Sequence, residues 1–187
     1  PGDTISVAIG QGFVLVTPLQ QAVVAMVIAN EGELFKPLIL EEIQNVPARE
    51  FNQYAAKLIQ KVNFSPETWK LVKTAMGEVV SSPNGTAYWR ARSDKVKIAG
   101  KTGTAQVVKS KRFEGVSEND IPLKFRDHAW FIAYAPADNP KIAVSVLVEH
   151  GGHGASAAAP LARTMIEKYM EIYEPEQLTK SEKATKP

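Results

Sequence analysis

The chain contains no cysteine. Disulfides and thiolate metal ligands are therefore excluded, and cysteine usage says nothing about the redox compartment. Long apolar runs are missing too: the longest, Ala22 to Ala29, is far too short to span a bilayer. No secretory leader pattern is present. Neither sign of charge dominates. The 22 Lys and Arg against 20 Asp and Glu leave a net charge of +2, which argues against nucleic acid as the main partner. A further absence concerns chemistry. None of the serines, from Ser6 to Ser181, has a lysine three residues on. A serine needs an adjacent base to become a nucleophile, and no serine here has one in the Ser-x-x-Lys spacing. The chain opens at Pro1-Gly2-Asp3 without a methionine, so it is expected to be a piece of a longer protein, with any membrane anchor upstream.

The 187 residues are enough for one domain with a substantial core, and 44% hydrophobic with 22% charged residues is the composition of a globular chain. Thr17-Pro18 reads as an N-cap followed by proline at the first helical position, predicting a helix to about Asn30 with Leu19, Val23, Met26 and Val27 on one face and Gly32 closing it. Leu34 to Ile43 reads as extended. Residues 44–64 are ambiguous, with a short helix expected around Asn52–Lys61. Ser65-Pro66 repeats the cap signal and opens a second helix, with Trp69, Val72, Met76 and Val79–Val80 on one side, stopped by Ser82-Pro83-Asn84-Gly85. A strand leads from Val96 through Lys101 and on to Val108. Residues 109–127 form a polar loop. Ala129–Ala135 and Ile142–Glu149 read as strands joined by the turn Pro136–Pro140. A last helix is expected over Ala159–Tyr173, with Leu161, Met165, Tyr169 and Ile172 on one face. The tail, residues 174–187, is polar and expected to be disordered. This order predicts an α+β fold, helices packed on an antiparallel sheet.

The chemistry concentrates at Lys101-Thr102-Gly103-Thr104. A strand ending in a cation, two hydroxyls and a glycine is suited to an anionic, peptide-like ligand. An extended peptide could pair with the strand edge through its main chain. Gly103 would allow close approach, Thr102 and Thr104 would offer hydroxyls to a carboxylate, and Lys101 would supply positive charge. The bland alternative is a strand end with a solvated lysine.

The surrounding text favours the first reading. A Lys-Thr-Gly box belongs to the signature of penicillin-binding proteins and class A β-lactamases. With Pro1-Gly2-Asp3, Ile9-Gly10-Gln11-Gly12, Thr17-Pro18-Leu19-Gln20, Asn84-Gly85-Thr86-Ala87, Asp127-His128-Ala129-Trp130-Phe131 and Glu149-His150-Gly151-Gly152 around it, residues 1–173 closely resemble the C-terminal half of the transpeptidase domain of class B penicillin-binding proteins. The Asp-His-Ala box and the Gly-Gly-His-Gly turn look most like the elongation branch, penicillin-binding protein 2, with the septal branch next. The resemblance implies a partial domain of the penicillin-binding protein transpeptidase and serine β-lactamase-like fold, without a cofactor. It implies a D,D-transpeptidase that cross-links peptidoglycan stem peptides through a serine acyl-enzyme and that β-lactams trap. Carried onto this sequence, Lys101 contributes to the electrostatics of the site and Thr102 and Thr104 bind the substrate carboxylate. Gly103 completes the substrate-binding box, and the backbone N–H of Thr104 donates to the oxyanion. The nucleophilic serine would lie upstream of Pro1, so the isolated fragment is expected to be inactive.

Peptidoglycan stem peptides, β-lactam antibiotics and the upstream half of the same protein are the implied partners, joined by a SEDS-type glycosyltransferase and rod-complex scaffold proteins. The implied location is the inner membrane, anchored upstream, with the catalytic domain periplasmic or otherwise extracytoplasmic. Two other readings stay open: a non-catalytic penicillin- or peptidoglycan-binding sensor or scaffold, and a β-lactamase-like hydrolase.

Other strings carry less. Ser82-Pro83-Asn84 and Ser117-Glu118-Asn119 both fit a Ser-x-Asn box, but one ends a helix and the other follows the Lys-Thr-Gly box. His150 and His153 read as parts of a turn rather than as metal ligands. His128 reads as a hydrogen-bonding support rather than an acid or base. Lys109, Lys111 and Arg112 read as a solvated loop.

Overall fold

The computed structural model describes residues 4, 7, 10, 14–40, 42–45, 50–53, 55–107, 113, 115–117 and 120–178. Helix α1, Pro18–Ala29, starts where its cap chemistry says it should. Thr17 Oγ1 accepts from the N–H of Gln20 at 3.2 Å, and Gln20 Oε1 accepts from the N–H of Thr17 at 2.8 Å, a reciprocal box that satisfies two otherwise orphaned donors. Helix α2, Pro66–Ser81, is capped by Ser65, whose Oγ accepts from the N–H of Thr68 at 3.2 Å. A short helix α3, Tyr88–Ala91, follows the Pro83–Gly85 turn.

Four short strands form two small hairpin-like pairs. Strand β1, Glu33–Phe35, pairs antiparallel with β4, Leu58–Lys61, while β2, Glu42–Asn45, pairs with β3, Glu50–Gln53. The helix expected around Asn52–Lys61 is therefore not formed. The peptide groups of this segment find partners across the chain instead. The N–H of Lys36 donates to Lys57 O and that of Val62 to Gly32 O, each at 2.9 Å, and non-local pairing overrides a weak local preference.

The main sheet is antiparallel, in the order β5-β6-β7: β5 is Ala99–Ala105, β6 His128–Ala135 and β7 Ile142–Val148. Lys101 stands opposite Ile132, Gly103 opposite Trp130 and Ala105 opposite His128. The strand expected from Val96 to Val108 is shorter at both ends. On one face α1 and α2 close over a cluster of Ala29, Met76, Ala99 and Tyr134. The other face is covered by α4, Gly154–Tyr173. There Ala158, Ala162, Ile166 and Met170 recur every fourth residue and meet Phe131, Ala133, Val144 and Val146.

Helix α4 begins five residues before the expected Ala159, and Pro160 lies inside it. Of the apolar face expected for it, Tyr169 packs against the core. Leu161, Met165 and Ile172 are exposed, and alanines fill the contact because only small side chains let the helix approach the sheet closely. Leu19 of α1 is likewise exposed, the buried positions there being Ala25 and Ala29. Residues 175–178 are helical and Leu178 packs on the core. The rest of the expected tail, 179–187, lies outside the described residues. Among the described residues no helix is long and apolar enough to cross a membrane.

Candidate active site

Lys101, Thr102, Gly103 and Thr104 lie together on β5, which pairs with β6 alone among the described residues. One row of β5 peptide groups thus faces away from the sheet, the arrangement an added extended peptide requires. Lys101 is exposed, and its Nζ donates to Thr102 O at 2.7 Å, with Thr102 Oγ1 at 3.5 Å. The ammonium is thereby folded over the box rather than extended into solvent.

Thr102 has a partner that sequence reasoning did not single out. Its hydroxyl lies 3.1 Å from that of Thr86. Thr86 reaches it because the chain turns sharply after α2: the N–H of Gly85 donates to Ser82 O at 2.7 Å and that of Ala87 to Val79 O at 3.0 Å. Just beyond stand Tyr88 and Trp89, ring centroids 4.9 Å apart, with Trp89 81% exposed. Asn84-Gly85-Thr86 gave no sign of this contact because the two threonines are 16 residues apart.

Gly103 takes its place differently from the expected way. A side chain there would meet Trp130 Cβ at 3.1 Å, on the face of the sheet rather than at its ligand edge. On the helix side, Gly154 at the start of α4 lies against the same residues. A Cβ at 154 would run into the carbonyl oxygen of Trp130, with Gly103 O at 2.6 Å and Gly103 N at 3.1 Å. The strand that carries the box thus rests on the first residue of α4.

The histidines sit at the far end of β5 and β6. The N–H of His150 donates to His128 Nδ1 at 2.9 Å, and His150 Nδ1 lies 3.1 Å from Arg126 O, to which it donates as Nδ1–H. His153 caps α4 with its carbonyl, which accepts from the N–H groups of Ser156 and Ala157 at 3.1 Å each. No group of three metal-ligating side chains occurs among the described residues. Ser82 ends α2, its N–H donating to Glu78 O. Lys109, Lys111, Arg112, Glu118 and Asn119 lie outside the described residues.

The chain matches a known family along most of its length. The family pattern described as penicillin binding protein transpeptidase domain covers residues 1–167. A peptidoglycan D,D-transpeptidase MrdA of Haemophilus influenzae is 39% identical over 171 residues, 90% of this chain but 26% of that protein. Among solved structures, the penicillin-binding protein PBP2 of Helicobacter pylori in complex with MreC superposes with a TM-score of 0.70 at 33% identity, covering 92% of this chain and 28% of that one. Penicillin-binding protein A of M. tuberculosis, as its penicillin G acyl-enzyme complex, gives 0.67 at 31% identity over 88% of this chain and 34% of its own. The chain therefore spans roughly a quarter to a third of the length of these relatives.

Proposed function

Since this chain belongs to the penicillin-binding protein transpeptidase family, we propose that it is the C-terminal half of the catalytic domain of a peptidoglycan D,D-transpeptidase of the penicillin-binding protein 2 type. The observation that carries the reading is the edge placement of the Lys101–Thr104 box, with the cation folded over it and Thr86 against Thr102. In this reading a serine upstream of this chain attacks the carbonyl of a D-Ala-D-Ala peptide bond. The C–N bond breaks, the terminal D-Ala leaves as the amine, and a second stem-peptide amine then displaces the serine from the ester. Lys101 supplies positive charge near the reacting groups. Thr102 and Thr104 hold the terminal carboxylate, Gly103 shapes the box, and the main-chain N–H of Thr104 stabilises the oxyanion, a contribution typically of about 3–4 kcal/mol.

Two further features support the upstream half as the main partner. The outer edge of β7 has no strand beside it among the described residues. Leu19 of α1 and Leu161 and Met165 of α4 are exposed apolar side chains. Penicillin-binding protein 2 of Helicobacter pylori is solved in complex with MreC, and a rod-complex protein of that kind is the proposed scaffold partner, with a SEDS-type glycosyltransferase as the proposed second. The proposed setting is an inner-membrane protein with an extracytoplasmic catalytic domain.

The test is intact-mass measurement of the complete protein with a penicillin. The protein should gain the drug's mass on a serine outside residues 1–187. Lys101→Ala should slow acylation about a hundredfold or more, the scale of losing one preorganised charge-stabilising group. Acylation at the parental rate would remove Lys101 from the site.

A further inference from the structure

The loop between β7 and α4 is tied to Arg126, Asp127 and His128, at the entry to β6, by three hydrogen bonds. His150 N–H donates to His128 Nδ1 at 2.9 Å, Gly152 N–H donates to Asp127 O at 2.9 Å, and His150 Nδ1–H donates to Arg126 O. The two imidazoles lie with centroids 4.7 Å apart. His150 holds φ +53°, a left-handed conformation that costs a non-glycine residue free energy unless its surroundings fix it. The hydrogen bond to His128 is the one made by the N–H of His150 itself.

The loop leads directly to Gly154, which abuts the peptide of Gly103. Asp127 extends the tie to the other end of the box: its Oδ1 lies 3.4 Å from the N–H of Val107, two residues beyond β5. One short segment, Arg126 to His128, is thus linked both to the support beneath Gly103 and to the exit of the Lys-Thr-Gly strand.

We propose that His128 is a positioning residue for the carboxylate-binding strand. By accepting the His150 N–H at Nδ1, it fixes the left-handed turn that seats Gly154 against Gly103, and so sets the lie of Thr102 and Thr104. The ring is neutral in this role, with its proton on Nε2, because Nδ1 is occupied as an acceptor. His128 touches no substrate; it acts through His150 and Gly154. For its activity readout the inference rests on the acyl-transfer reading above, and a second readout makes it independent.

The experiment compares the complete parent protein with His128→Leu, which removes the acceptor, and His128→Asn, whose Oδ1 replaces Nδ1. The acylation rate with a penicillin and hydrogen exchange across residues 99–107 and 150–157 are measured on all three. His128→Leu should acylate about tenfold slower or worse, as small misplacements near a reacting centre do, and should exchange faster in both segments. His128→Asn should restore both. Parental acylation and exchange in His128→Leu would overturn the proposal, and so would a His128→Asn protein as impaired as His128→Leu, since bulk rather than the acceptor would then be at work. If His128→Leu does not fold, His128→Gln, whose carboxamide lies one bond beyond the Nδ1 position, takes its place under the same criteria. If the parent is not acylated, the transpeptidase reading fails and hydrogen exchange alone decides the role of His128.

Discussion

The hydroxyls of Thr86 and Thr102 meet at 3.1 Å, joining the turn after α2 to the centre of the Lys-Thr-Gly box. Thr102 Oγ1 also lies 3.5 Å from the Lys101 ammonium, so its hydrogen is directed by two neighbours. A hydroxyl oriented in advance loses less freedom when it binds a carboxylate. Thr86→Val keeps the shape and removes the partner. It should weaken acylation of the complete protein by about fivefold, the worth of one hydrogen bond of about 1 kcal/mol, while Thr86→Ser stays near the parent. Acylation kinetics with a penicillin over a range of concentrations checks this; equal rates for valine and serine would show that Thr102 needs no partner.

Gly154 and Gly103 offer a paired test of how the box is supported. The obstacles around Gly154 are main-chain atoms of Trp130 and Gly103, which cannot rotate away. At Gly103 the nearest atom is a single side-chain carbon, Trp130 Cβ at 3.1 Å. Gly154→Ala should therefore cost about 3 kcal/mol or more of stability and shift α4 from β5, whereas Gly103→Ala should cost about 1 kcal/mol. Denaturant unfolding of both variants in the complete protein measures the difference. A loss for Gly154→Ala of about 1 kcal/mol or less would mean that α4 yields to the added methyl at little cost.

Local chemistry explains what was legible beforehand. The caps at Thr17 and Ser65 act within three residues of sequence, so α1 and α2 could be read from them. The aromatic-rich run of β6, the β-branched run of β7 and the box on β5 are legible in the same local way. What could not be read depends on distant partners. Strand β4 has all four residues exposed and exists because β1 pairs with it. The Thr86–Thr102 and His128–His150 contacts span 16 and 22 residues and leave no periodic mark. In α4 the apolar pattern of Leu161, Met165 and Ile172 suggested the wrong face, because the sheet selected the alanines for close approach. Pro160 is accommodated within the helix, which begins before it at Gly154.

The reassigned face of α4 predicts where that helix is sensitive. Ile166 and Met170 are both fully buried. Ile166→Ala leaves a cavity against the sheet and should cost about 2–5 kcal/mol. Met170→Leu conserves volume and should cost less than about 1.5 kcal/mol. Equilibrium unfolding of the two variants separates them; a loss for Ile166→Ala below that of Met170→Leu would mean that α4 does not seat this stripe on the sheet.

Tyr134 sets the alkaline limit of the other face. It is fully buried among Ala29, Met76 and Ala99, and its Oη finds no hydrogen-bond partner among the described residues. Burial, and then the carboxylate of Glu31, push its pKa up to about 12. In the unfolded chain a tyrosine ionises near its ordinary value of about 10. As pH rises from about 10 to about 12 the unfolded state gives up a proton that the native state keeps, so this group's contribution to stability is complete below about 10 and declines through that window. Tyr134→Phe cannot ionise and should remove this part of the decline. At neutral pH it should be as stable as the parent or slightly more so, because it deletes a buried hydroxyl without a partner. Unfolding of parent and variant at neutral and alkaline pH measures both effects. A neutral-pH loss above about 1 kcal/mol would mean that the hydroxyl is paired, with a group outside the described residues as the partner to seek.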